Sequence, residues 1–168
     1  YCGTNAGLLK VDSKGNTSIS KLPNESQIYS MTIDSLENIW VGSADGLFHY
    51  NLEKDLFSLV QFSNSFGSIN INFLALEEGD KLFIGTNDGL FKLDVNAYYK
   101  SDQVRVIQYT KFEGLSSSET NQGAVFSDGT TLWFGTTSGA IEFNTALEST
   151  AKQQPYLEIS DVQLFLGE

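Results

Sequence analysis

Apolar and polar positions along this chain fall into a pattern that recurs. Four segments align with one another: YCGTNAGLLKV from Tyr1, IWVGSADGLFHY from Ile39, LFIGTNDGLFKL from Leu82 and LWFGTTSGAIEF from Leu132. Each is an apolar run, then Gly-[Thr/Ser]-x-x-Gly, then a second apolar run. The first glycines are Gly3, Gly42, Gly85 and Gly135, and the second are Gly7, Gly46, Gly89 and Gly139, always four residues on. A fixed inner offset inside outer spacings of 39, 43 and 50 residues marks an internal repeat.

Each copy predicts a β-hairpin. Ile39, Trp40, Val41, Phe83, Ile84, Trp133 and Phe134 are β-branched or aromatic and suit a pleated strand. Asp45-Gly46, Asp88-Gly89 and Ser138-Gly139 are turn signals in which glycine takes a positive φ. A strand-like run precedes three of the hairpins, at Ile28–Ile33, Ile71–Leu76 and Gly123–Phe126. A further strand follows two of them, at Phe57–Phe62 and Val104–Phe112. Four short antiparallel strands in about 40–45 residues make the blade of a β-propeller. A sandwich would show regular turns but no repeated glycine signature. The expected fold is therefore all-β, with about four blades of four-stranded antiparallel sheet forming part of a propeller. Residues 1–25 form a partial first blade without its inner strand, 26–68, 69–115 and 116–154 one blade each, and 155–168 an exit strand. Helical periodicity is nearly absent, and only Glu148–Gln154 suggests a helical turn.

Composition narrows the chemistry. Ten Lys+Arg against 21 Asp+Glu give a net charge of −11 in 168 residues, and the only arginine is Arg105. A nucleic-acid surface needs clustered basic side chains, so that class is excluded. One cysteine, Cys2, excludes an internal disulfide framework, and one histidine, His49, leaves no material for a histidine-rich metal site. No metal and no cofactor is expected. No apolar run approaches the ~18–20 residues that span a membrane. The start, YCGTNAGLL, has no basic region before an apolar stretch, so a signal peptide is not expected there.

The motifs that suggest chemistry also have structural readings. A phosphate-binding loop needs a helix after its glycines, whereas strands follow these. The carboxylates Glu77, Glu78 and Asp80, and Asp34 with Glu37, fall in inter-strand turns and are expected to be solvated. His49 points opposite to Phe48 and Tyr50 and is expected to be a half-exposed strand residue. Trp40, Phe83 and Trp133 occupy equivalent positions and are expected to pack between blades, with sugar stacking as the alternative. Cys2 is placed in the same register and expected to be buried. The segments Ser63–Asn70 and Glu113–Gln122 break the repeat, and loops on rigid scaffolds carry most recognition. The candidate ligand-binding residues are Ser63, Asn64, Asn70, Ser117, Glu119, Asn121 and Gln122. The inner strands IYSMTI, INFLAL and GAVF are mostly apolar, which disfavours a lyase or hydrolase with acidic residues in the channel.

From Asp34 to Tyr50 the pattern D-x-x-x-N-I-W-V-G-S-x-D-G-L-F-x-Y resembles the two-component regulator propeller repeat, as do Leu82–Leu93 and Leu132–Phe143. FEGLSSSETNQGA, Phe112–Ala124, is similar to the segment leading into the last blade of that family, with Ser118 and Thr120 where members usually carry Asn and Phe. PYLEISDVQLFLG, Pro155–Gly167, resembles the strand that leaves the propeller for an immunoglobulin-like domain. The resemblance implies a non-catalytic fragment of the periplasmic sensor region of a Bacteroidetes-type hybrid two-component histidine kinase. It implies a glycan or oligosaccharide as the signal, and other propeller blades and the immunoglobulin-like domain as intramolecular partners. A structural propeller with protein partners, or a propeller lyase or hydrolase, is the alternative. About four repeats are the low end for a propeller, so the chain reads as a cut through a larger one. Its end blades are then expected to leave apolar faces uncovered, which favours association of two copies.

Overall fold

The computed structural model describes residues 1–61, 69–101, 104, 106–111 and 114–145. Four antiparallel sheets follow one another along the chain. The first holds β1 (Cys2–Thr4), β2 (Gly7–Val11) and β3 (Thr17–Ser20). In the second, β4 (Ile28–Ile33), β5 (Ile39–Ser43), β6 (Gly46–Asn51) and β7 (Leu56–Leu59) lie in chain order. The third contains β8 (Ile71–Glu77), β9 (Lys81–Thr86), β10 (Gly89–Asp94) and β11 (Val106–Tyr109). The fourth contains β12 (Thr120–Ser127), β13 (Thr131–Thr136) and β14 (Gly139–Asn144). The strands β4, β8 and β12 open their sheets and touch each other in sequence, so they form the inner edge of a partial propeller. The helical turn expected at Glu148–Gln154, the exit strand at 155–168 and Phe62 all lie outside the described residues.

One helix was not foreseen. Between β10 and β11 the chain forms α1 (Val95–Lys100). Asp94 caps it by accepting the Ala97 amide, and Lys100 sits in the last turn where cations are favourable. Lys81 bonds the same Asp94 carboxylate and holds its pKa below the ordinary aspartate value. The signal was present in D-V-N-A-Y-Y-K, a capping aspartate followed by good helix formers and a terminal lysine. It is too short to show a helical period.

The repeat has a local physical cause. In all four hairpins the Thr or Ser after the first glycine closes the turn with its hydroxyl. Thr4 donates to the Gly7 carbonyl at 2.7 Å and accepts from the Ala6 amide at 3.1 Å. Ser43, Thr86 and Thr136 make the same pair of bonds to Gly46 and Asp45, to Gly89 and Asp88, and to Gly139 and Ser138. The second glycine sits at φ between 111° and 127° in every copy, a region that L side chains rarely adopt. The first glycine makes room for a neighbour. A Cβ on Gly42 would lie 2.5 Å from Ile71 of the next sheet, and one on Gly85 would lie 2.1 Å from the Phe73 ring.

Successive sheets pack face to face through three apolar clusters. Leu8, Ile39, Val41, Phe48 and Tyr50 join the first two sheets. Trp40, Leu47, Ile84, Phe91 and Leu93 join the second and third. Phe73, Phe83, Leu90, Leu132 and Phe134 join the third and fourth. Trp40 and Phe83 are buried as expected, but Trp133 is 41% exposed. It projects from the far face of the fourth sheet in one row with Phe126, itself 65% exposed, and Glu142. No described sheet lies against that face. Cys2 also departs from expectation: it pairs with Leu9 as Val41 pairs with Phe48, one position away from the Trp40 register. It therefore belongs to the opposite face, which no described sheet covers, and it is exposed.

The hydroxyl clamp is testable. Thr86→Val keeps the shape but removes both bonds inside a buried turn, and is expected to lower the unfolding free energy by about 1–3 kcal/mol. Urea unfolding should show a lower midpoint at an unchanged slope.

Candidate functional site

The polar residues proposed for recognition mostly bind other parts of the chain. Ser117 is buried and shares a 3.0 Å hydrogen bond with Thr137 in the β13–β14 turn. The Glu119 carbonyl accepts the Thr137 amide at 3.1 Å, and Asn121 donates to the Thr136 carbonyl at 3.2 Å. The Ser118 carbonyl accepts the Gly89 amide at 2.6 Å. The segment thus clasps two hairpin turns of adjacent sheets together. Asn72 extends the clasp by donating to the backbone and hydroxyl of Thr120, whose hydroxyl donates to Thr86. Gln122 is exposed on β12. Asn70 stands apart, its amide donating to the Asn87 side chain at 3.1 Å and its side-chain oxygen buried without a partner among the described residues. Ser63 and Asn64 lie outside the described residues.

A different place gathers chemistry. Tyr98 and Tyr99 of α1 reach back over the second sheet and meet Trp40 and His49. The ring centroids of Trp40 and Tyr98 are 5.0 Å apart, those of Trp40 and His49 5.1 Å, and those of His49 and Tyr99 5.5 Å, all three pairs edge to face. Asp34 sits beneath this group. Its Oδ1 accepts the amides of Leu36 and Asn38, closing the β4–β5 turn. Its Oδ2 accepts the Trp40 indole N–H at 2.8 Å and the Tyr99 hydroxyl at 2.5 Å. Tyr99 has one proton and gives it to Asp34, so its contact with His49 Nε2 at 2.8 Å requires His49 to donate. The imidazole is therefore the Nε2–H tautomer.

Asp34 and His49 were expected to be solvated and half-exposed, and both are buried. Asp34 lies below a helix inserted more than 60 residues later in the chain, which no local pattern predicts. Glu77 is likewise buried, with Ser127 of the next inner strand bonding its Oε1. Burial pushes the His49 pKa below its ordinary value, against the pull of Asp34, and holds the ring neutral. Burial, reinforced by the bond to Asp34, pushes the Tyr99 pKa up, so the phenol stays protonated. A second strap lies nearby: Ser35 donates its hydroxyl to Asp80 at 2.5 Å, and Asp80 accepts the Val95 amide at the start of α1 through its carbonyl.

Beside this group opens a cleft of about 400 Å³ between the outer strand β7 and α1. Leu59, Val60 and Gln61 form one wall, and Tyr98, Tyr99 and Ser101 another, with Val104 between. None of these residues is charged. The two tyrosine rings stand at 72° to each other, making a corner. Among the described residues no group of three or more His, Cys, Asp or Glu is arranged to hold a metal ion, and no helix is long and apolar enough to cross a membrane.

The anchors of the corner carry two predictions. Tyr99→Phe removes the hydroxyl between His49 and Asp34 and is expected to destabilise by about 1.5–3 kcal/mol, as for a bond to a charged group. The His49 pKa in the folded state lies below the unfolded value of 6.5, so its contribution is present above that value and lost as pH falls below it. Between about pH 7.5 and about pH 5.5 the chain should lose stability, and His49→Gln should flatten that slope in denaturant melts.

No protein-family model matches the chain, and no curated protein matches it. Solved structures do. The extracellular domain of the one-component system BT4673 from B. thetaiotaomicron superposes with a TM-score of 0.65 at 22% identity, over 83% of this chain and 19% of that one. The extracellular domain of the hybrid two-component system BT3049 from the same organism gives 0.59 at 22% identity, over 84% and 18%. Virginiamycin B lyase from Staphylococcus aureus gives 0.59 at 16% identity, over 83% and 49%. The chain thus spans about a fifth of the length of the sensor domains it matches. It has the blade architecture of the extracellular domains of such two-component systems.

Proposed function

We propose that this chain is a non-catalytic ligand-sensing part of the extracytoplasmic propeller of a hybrid two-component sensor histidine kinase, and that its signal is a glycan or oligosaccharide. The observation that carries this reading is the match of the four stacked sheets, over more than four-fifths of the chain, to extracellular domains of such systems. The placement of the polar side chains supports it. The acidic groups that a lyase or hydrolase would use are engaged in turns and inter-sheet straps, as Asp34, Glu77 and Asp80 illustrate. The single histidine is buried and held neutral behind Tyr99. The strands nearest the axis remain largely apolar. The likeness to a lyase fold keeps the enzyme reading second, since it is a likeness of blades and not of a catalytic group.

A ligand that binds only the folded state raises its stability, by about 2.7 kcal/mol at a hundredfold excess over Kd. In a thermal-shift screen against neutral and acidic oligosaccharides, at least one should raise the melting temperature by several degrees. If no saccharide does so while a purified protein partner does, the chain is a structural interaction propeller instead.

A further inference from the structure

We infer that two copies of this chain pair head to tail, the fourth sheet of each lying against the first sheet of the other. The pairing goes beyond the sensing reading and does not rest on it. The three described inter-sheet contacts obey one rule. On one face of a hairpin stand the residue two before the first glycine and the residue just after the second, as in Trp40 with Leu47 or Phe83 with Leu90. On the other face stand the residue just before the first glycine and the residue two after the second, as in Val41 with Phe48 or Ile84 with Phe91. Each contact joins a face of the first kind to a face of the second kind on the next sheet. Leu8 meets Val41 and Phe48, Trp40 and Leu47 meet Ile84 and Phe91, and Phe83 and Leu90 meet Phe134.

Two faces remain, one of each kind. The fourth sheet exposes Trp133 and Ala140, with Phe126 paired beside Trp133. The first sheet exposes Cys2 and Ile19, which flank the half-buried Leu9 in one row. Because these residues are exposed, the two faces do not meet within one chain. They are apolar and complementary by the rule that the other three contacts follow.

Charge selects a second copy as the occupant. Between the first and second sheets, Lys10 reaches Asp55 in the β6–β7 turn at 2.8 Å and lies over the Tyr50 ring. Glu142 stands at the Lys10 position of the fourth sheet, three residues after the second glycine. The β2–β3 turn, which takes the place of the β6–β7 turn in the first sheet, carries Lys14. The same strap is thus present with its signs reversed. Lys14 and Glu142 are both exposed, and neither is in an ion pair among the described residues. Asp12, the acidic neighbour of Lys14, is occupied in closing its own turn on the amides of Lys14 and Asn16. Two chains of charge −11 repel, so a contact that sets opposite charges together is the one favoured between them. A head-to-tail contact either closes into a ring or grows without limit. Propellers close at about 4–8 blades, and two copies of four sheets reach that number where a third would exceed it.

The test is analytical ultracentrifugation of the whole chain from micromolar to millimolar concentration, where a species of twice the chain mass should appear and saturate. The contact occurs twice in each dimer, so Glu142→Lys or Lys14→Glu alone should weaken association about tenfold or more. The two together should restore it to within about threefold of the unaltered chain. Trp133→Ser and Ile19→Asp are surface substitutions that spare the core, and each should leave only monomer. The Cys2 thiol should react with a thiol reagent more slowly as concentration rises. A chain that stays monomeric at millimolar concentration overturns the pairing. So does a monomer in which Trp133 resists acrylamide quenching, since residues 146–168 would then cover the face; Trp40, the other tryptophan, is buried and does not confuse the reading. Growth beyond the dimer overturns the closed ring, and a dimer untouched by Trp133→Ser and Ile19→Asp overturns the two faces. None of these outcomes bears on whether a saccharide raises the melting temperature, so the sensing reading stands or falls separately.

Discussion

Each inner sheet of this molecule has to bury both of its faces at once. In β5 all five residues are buried, Trp40 on one side and Val41 on the other, because a neighbouring sheet presses on each face. Two-sided burial leaves no polar face along the strand, which is why the middle strands read as unbroken apolar runs. It also creates a shortage of room. At Gly42 a side chain from the next sheet occupies the space a Cβ would need, so glycine is required there by contact across sheets. Where a neighbour is missing, the same positions become surface: Trp133 and Cys2 both lie on faces that no described sheet covers.

The cost of stacking sheets falls on the strand ends, where backbone groups lose their ladder partners. The chain meets that demand with short polar side chains used in the same way in successive copies. A hydroxyl closes each hairpin turn, and an aspartate at Asp34 and again at Asp128 gathers the amides of the turn after the inner strand. Inter-sheet straps through Asp80, Thr120 and Ser118 then fix one sheet against the next. Much of the polar chemistry that looks available for recognition is committed to this task.

The region around α1 departs from the repeat. The helix interrupts the third sheet between its last two strands and carries two tyrosines onto the second. Its anchors come from the β4–β5 turn and from β6, so the corner exists only while the two sheets keep their mutual angle. Side chains held by packing and hydrogen bonds to a sheet, as Tyr98 and Tyr99 are by Trp40 and Asp34, are better ordered than those of a free loop.

What the sequence by itself determined is what depends on near neighbours. The hairpins, their turns and the order of strands follow from apolar runs, Gly-[Thr/Ser]-x-x-Gly and the steric freedom of Gly46 or Gly89, all set within a few residues. Trp40 and Phe83 were recognisable as packing residues for the same reason. The register of Cys2 was misread by one residue, and one residue of slip in a strand turns a side chain to the other face; Cys2 directly precedes Gly3 as Val41 precedes Gly42, and the pairing with Leu9 shows the same register. Only the tertiary structure decided that Asp34 and His49 are buried, that Ser117 and Asn121 serve as clasps, and that a cleft opens beside α1. Each of those depends on groups brought together from distant parts of the chain, such as Asp34 and Tyr99. Burial and pKa are properties of that assembled surrounding, and no local pattern of residues contains them.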